Sequence, residues 1–157
     1  MSQAVPQPPR GCTNLKIRQL ARLVGRHYEA HAAATGLKNT QYSLLSHVVK
    51  MAPVRPGDLA QAMRLDASTL TRNLQPLVAQ GWVTLGAGAD GRSRLVDVTE
   101  AGRAAREQGQ KAWKKAQLEV NALLGIERVT ALHALIDECI AVLETTDDAH
   151  EEGARNE

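Results

Sequence analysis

Between Ser68 and Gln75 the chain brings together Ser68, Thr69, Thr71, Arg72 and Gln75: three hydroxyls, a guanidinium and an amide. Side chains of these types exchange hydrogen bonds with base edges and phosphate oxygens in a major groove. Taken alone, they also fit an ordinary solvated helix face. Further along, Asp90, Arg92 and Arg94 stand on or beside a stretch that holds Gly86, Gly88 and Gly91. Three glycines keep such a tip from packing as core, so the arginines are expected to be exposed. There they can enter a narrow minor groove or grip phosphates. Asp90 is expected to orient a neighbouring guanidinium, since a carboxylate would repel a phosphate. A plain charged hairpin is the alternative reading of the tip.

The elements that must carry these groups follow from local signals. Pro56 suits the first position of a helix, because its missing N–H would have no partner there, and the spacing predicts a helix over Pro56 to Met63. Arg64 and Leu65 turn the chain. Asp66 then caps a second helix, Ala67 to Gln80, and Gly81 stops it. On that helix Ala67, Leu70, Leu74, Leu77 and Val78 fall on one arc, expected to be buried. Ser68, Arg72, Gln75 and Ala79 occupy the opposite arc, with Thr69 and Thr71 beside it. Two β-prone runs, Trp82 to Leu85 and Arg94 to Val98, then form a hairpin around the glycine-rich tip. Helix, turn, helix and hairpin make the plan of a winged helix-turn-helix.

The motifs Arg55-Pro56-Gly57-Asp58-Leu59-Ala60, Leu65-Asp66-Ala67-Ser68-Thr69-Leu70-Thr71-Arg72, Gly81-Trp82-Val83 and Asp90-Gly91-Arg92, followed by Leu95-Val96-Asp97-Val98-Thr99-Glu100-Ala101-Gly102, resemble the MarR (multiple antibiotic resistance regulator) family of bacterial transcription factors. The resemblance covers about residues 12 to 145. Two positions depart from the pattern. Arg55 stands where many relatives place a Ser or Thr cap, and Pro76 lies inside the second helix, where it removes a hydrogen bond and puts the docking angle in doubt.

The expected fold is therefore mainly α with a small β-hairpin wing, flanked by terminal helices that form a dimerisation lobe. Residues 1 to 10 are read as a disordered arm, 11 to 145 as the folded domain with its winged part at about 40 to 98, and 146 to 157 as a disordered acidic tail. Dimerisation helices are expected at about 13 to 34, 100 to 124 and 127 to 144. In the first, Ile17, Leu20, Val24, His27 and His31 recur at three- and four-residue steps; in the last, Val129, Leu132, Ile136, Cys139 and Leu143 do the same. Two such seams exceed what one small winged domain covers, which predicts a homodimer. Thr99 is the expected cap of the long helix, and Thr40 to Met51 the helix behind the reading pair, ended by Pro53.

The chain has 157 residues, 43% of them hydrophobic, and a net charge of +2. Its last twelve residues hold five acids against one arginine, so the remainder carries +6, a mild basic balance that suits nucleic acid. No apolar run is long enough for a membrane span or a secretory signal, which predicts a cytoplasmic protein without a membrane partner. Neither a Gly-rich phosphate loop, an acidic pair nor a cysteine-histidine motif points to an enzyme, and no cofactor is expected. His27 and His31 have the spacing to face one metal ion, but nearby sequence offers no further ligand, so no metal site is assigned.

The expected activity is sequence-specific binding of double-stranded DNA by a symmetric pair of chains, at a pseudo-palindrome with half-sites about 10 base pairs apart. The resemblance implies a repressor released by a small aromatic or phenolic effector. Relatives hold that effector between the dimer helices and the winged lobe, which here points to Arg26, His27, Tyr28, His31, Tyr42, His47 and Trp113. A cation or imidazole would hold a carboxylate and the rings would supply apolar walls. The same residues also read as interface or core. Cys12 precedes a helix start with Lys16 and Arg18 nearby, which favours an oxidisable thiolate. One branch of the family senses organic hydroperoxides with a cysteine near this point, but the tyrosine used with it is replaced by Asn39. Cys139 is read as packing. A protein-interaction module on a winged scaffold is the remaining alternative.

Overall fold

The computed structural model describes residues 9–88 and 94–155, with side chains described as far as Thr146. The order of elements is α1 (Thr13–Ala32), a single 3-10 turn (Ala33–Thr35), α2 (Asn39–Met51), α3 (Pro56–Ala62), α4 (Ala67–Ala79), β1 (Val83–Ala87), β2 (Arg94–Val98), α5 (Glu100–Leu124) and α6 (Ile126–Arg155). The architecture is the expected one: mainly helical, with a winged helix-turn-helix. The chain forms two compact units, one up to Gln117 and one from Leu118 onward.

In the first unit, Leu44, Leu45 and Val48 of α2 meet Leu59 of α3 and Leu70, Leu74 and Leu77 of α4. Val83, Val96 and Val98 close this core from the hairpin. β1 and β2 pair antiparallel with Val83 opposite Val98 and Ala87 opposite Arg94. On the free edge of β2, Val54 exchanges two backbone hydrogen bonds with Val96, at 3.0 and 2.8 Å, so the segment leaving α2 acts as a short third strand. β1 starts at Val83, one residue later than expected, because the Trp82 N–H is used by the Leu77 carbonyl to close α4.

Asp66 caps α4 as anticipated, accepting from the Thr69 N–H at 2.8 Å. The turn before it is made by Arg64, which adopts a left-handed φ of 52°. Leu70, Leu74 and Leu77 are buried, but Ala67 and Val78 are exposed, contrary to the expected arc. Ala67 belongs to the first turn of α4. Val78 lies at the edge of the arc, on the side toward β1.

At the other end of the hairpin, Thr99 caps α5 by accepting from the Gly102 N–H at 3.0 Å. A Cβ built on Gly102 would stand 2.0 Å from the Trp82 carbonyl oxygen, so only glycine lets the α5 backbone approach this closely. α1 ends at Ala32, and Gly36 closes the following turn with a φ of 69°. Leu15, Ile17, Leu20 and Leu23 of α1 are all exposed.

The second unit comprises the end of α5 and α6, joined at Gly125, whose φ of 83° suits a residue without Cβ. Val120 and Val129 are buried, whereas Leu135, Ile136, Val142 and Leu143 are exposed. Cys139, expected to pack, is exposed as well. α6 does not end near Glu144: it continues to Arg155, so most of the segment expected to be a disordered tail is helical. Runs of Glu, Asp and Ala sustain a helix here, and Thr145 and Thr146 return their hydroxyls to the Val142 carbonyl rather than breaking it. The expected arm is described only at Pro9 and Arg10, both exposed.

Candidate nucleic-acid interface

α4 turns one ridge to solvent. Ser68, Arg72, Gln75 and Ala79 form its crest, and all four are exposed. The crest is flanked by two hollows. On the wing side, a hollow of about 400 Å³ is lined by Pro56, Thr71, Leu74, Gln75, Val78, Ala79, Leu85 and Arg94. On the other side, one of about 270 Å³ is lined by Lys38, Thr40, Gln41, Arg72, Asn73 and Pro76. Thus α4 separates a partly apolar trough against the hairpin from a polar one against the start of α2.

The hydroxyls on α4 already have uses for their protons. Ser68 donates to one Asp66 carboxylate oxygen at 2.6 Å and Thr69 to the other at 2.6 Å, while Thr71 donates to the Ala67 carbonyl at 2.8 Å. Toward a ligand these oxygens therefore offer lone pairs. They suit the amino groups of cytosine or adenine rather than phosphate oxygens, which have only acceptors to give. The same hydrogen bonds, together with that from the Thr69 N–H, hold the Asp66 carboxyl well below the usual carboxylate range. It stays ionised, and its charge at the first turn of α4 complements the helix dipole.

Arg94 is exposed at the loop end of the paired strands, opposite Ala87, and lines the wing-side hollow with Thr71 and Gln75. Arg92 and Asp90, assigned from sequence to contact and to orienting roles, lie outside the described residues. Lys38, Thr40, Gln41 and Asn73 were not singled out by sequence reasoning. Their signal is weak, since two separate segments contribute and only the packing of α2 against α4 unites them.

A third hollow, of about 530 Å³, opens between α1, α2 and α5. Of the residues expected to receive an effector, it gathers Tyr28, Tyr42, His47 and Trp113, together with Asn39, Ser43 and Ser46. The Tyr42 and Trp113 rings lie 6.5 Å apart at 31°. Tyr28 donates to Gln117 Oε1 at 2.6 Å, and burial pushes its phenol pKa up. His47 Nδ1 lies 2.8 Å from the Ser43 carbonyl oxygen, while the Ser46 hydroxyl is buried without a hydrogen-bond partner. Arg26, His27 and His31 do not line this space. α1 presents Ala21, Val24, Gly25 and Tyr28 to it, and the helical period turns Arg26 to the opposite side. No Arg, Lys, Asp or Glu is among the lining residues, so of the cation or imidazole expected to hold a carboxylate the hollow has the His47 imidazole.

A capped helix exposing acceptors and an arginine, troughs on both flanks and a hairpin with an arginine at its loop end define a winged helix-turn-helix built to meet nucleic acid. The MarR family profile matches residues 35–93. The M. tuberculosis transcriptional regulator MosR, solved in complex with DNA, is 31% identical, with a TM-score of 0.68 over 83% of this chain and 98% of its own. A mutant of E. coli MarR, complexed with operator DNA, shares the fold with a TM-score of 0.74 at 23% identity, over 80% of this chain and 91% of its own. An uncharacterized HTH-type transcriptional regulator of Bacillus subtilis, YwoH, is 29% identical over 85 residues, 54% of this chain; the match spans 62% of that relative's length. The chain belongs to the MarR family of DNA-binding transcriptional regulators.

Proposed function

We propose that this chain is a sequence-specific, DNA-binding repressor that acts as a homodimer in the cytoplasm and is released from its operator by a small aromatic or phenolic effector. The observation that carries the DNA reading is the crest of α4, where Ser68 and Thr69 are locked by Asp66 into offering acceptors beside Arg72 and Gln75. MosR and E. coli MarR, both solved with DNA, support this reading by likeness. Among the described residues no helix is long and apolar enough to cross a membrane. Ser68, Thr69 and Gln75 take base edges, with Arg94, and Arg92 beyond the described residues, on the DNA flanks and Asp90 orienting the wing.

Dimerisation through the helices at 13–34, 100–124 and 127–144 is supported by the apolar side chains that each unit leaves exposed, Leu15, Ile17, Leu20 and Leu23 in one and Leu135, Ile136, Val142 and Leu143 in the other. The effector reading rests on the aromatic hollow, whose lining favours an uncharged ring with a hydrogen-bonding group over a carboxylate held by Arg26. Selection of bound duplexes from a random pool, followed by gel shift, tests the whole. An imperfect inverted repeat, bound with steep salt dependence and released by a phenol, is expected. Affinity equal on selected and random duplexes would remove the sequence-specific reading.

A thiol switch is the second reading, favoured by the exposure of Cys12 immediately before α1. Replacing Cys12 with Ser would then abolish release of DNA by an organic hydroperoxide, and a retained peroxide response would remove this reading.

A further inference from the structure

The hollow between α2 and α4 has a chemistry distinct from the other two. Lys38 and Arg72 bring two cations to about 270 Å³ of space, with Thr40, Gln41 and Asn73 as uncharged donors and no carboxylate in the lining. Glu29, whose carboxylate accepts from the Asn39 N–H at 3.1 Å, does not line it. Gln41 gives its side-chain oxygen to the Lys38 N–H at 2.9 Å, which leaves its amide NH₂ to donate. Pro76 contributes no N–H. A concavity that offers ammonium, guanidinium and amide donors, with no opposing acid, is complementary to an anion.

Its position says which anion. A major groove about 12 Å wide is walled by two phosphate backbones, so a helix laid into it meets one backbone on each flank. On α4 the wing-side flank already has Arg94. The opposite flank is this hollow. We propose that Lys38, with Arg72 and Asn73, cradles a backbone phosphate of the DNA strand that bounds the groove on the side away from the wing. This rests on the DNA reading above. Arg72 is thereby drawn partly from the base edges to the backbone, and Lys38 sets how deeply α4 is held in the groove without itself reading sequence.

The test is a fluorescence-anisotropy titration of the full chain with a selected duplex and a random duplex over a series of salt concentrations. Lys38→Ala is expected to weaken both duplexes by the same factor. It should also reduce the slope of log affinity against log salt by about 1 per chain. Lys38→Arg should restore both quantities. A duplex with one neutral methylphosphonate at the cradled phosphate should weaken the wild type at least as much as Lys38→Ala does, and should cost that variant less than it costs the wild type. Circular dichroism verifies that each variant is folded, and Lys38→Gln supplies a second charge-neutral variant. Should Lys38→Ala keep the wild-type slope, or lose affinity for the selected duplex alone, the cradle is overturned while DNA binding stands. A wild type that binds neither duplex overturns both.

Discussion

The Thr99 hydroxyl donates to the Gly81 carbonyl at 2.7 Å while accepting from the Gly102 N–H at 3.0 Å, and so ties the turn that ends α4 to the first turn of α5. The Thr99 N–H adds a hydrogen bond to the Trp82 carbonyl at 3.1 Å. Replacing Thr99 with Val keeps the shape and removes the hydroxyl. We expect a loss of about 1–2 kcal/mol in urea denaturation and weaker binding of the selected duplex, with Thr99→Ser close to wild type. A Val variant as stable as the wild type would refute this joint.

Asp66 carries a pH signature. Its carboxyl is held far below the usual range by Ser68 and Thr69, so the ionised form is favoured in the folded chain. A depressed folded value contributes stability that is complete above the unfolded value of about 3.9 and is lost as the pH falls below it. The Tm difference between wild type and Asp66→Ala should therefore be full at neutral pH and shrink as the pH is taken below about 4. A difference that does not change with pH would mean that the cap does not depend on charge.

Arg64 occupies left-handed backbone with a φ of 52°, where a Cβ crowds the following carbonyl. Because Arg64 also has side-chain interactions, the clean comparison is between two truncated variants. Arg64→Gly should be more stable than Arg64→Ala by about 1 kcal/mol, measured by chemical denaturation. The reverse order would show that the turn relaxes to ordinary helical angles.

Gly109 lies against Tyr42, one of the rings of the aromatic hollow. A Cβ there would lie 2.6 Å from Tyr42 Cδ2, so the ring must swing to admit it. Gly109→Ala is expected to cost about 1–3 kcal/mol by overpacking, to shift Trp113 emission in a Trp82→Phe background and to weaken binding of a phenolic effector. Unchanged emission and effector affinity would mean that the ring yields in another direction.

Much of this was legible because capping chemistry is local. Asp66 and Thr99 announce α4 and α5 within a few residues of each helix. What was not legible depends on contacts between segments distant in sequence. Val78 looks like core until β1 is placed beside it, Arg26 looks like an anion holder until α1 is rotated against α2, and Lys38 has no meaning until α4 lies across from it. The end of α6 was not legible for a compositional reason, since acidic residues that suit a solvated tail also propagate a helix.

At Gly102 two main chains touch with no side chain between them as a cushion. A joint of that kind has no slack: the first turn of α5 is keyed directly to the Gly81-Trp82 bend that ends α4. Any side chain at position 102 would wedge the two segments apart, so the glycine sets how closely the long helix can abut the reading pair.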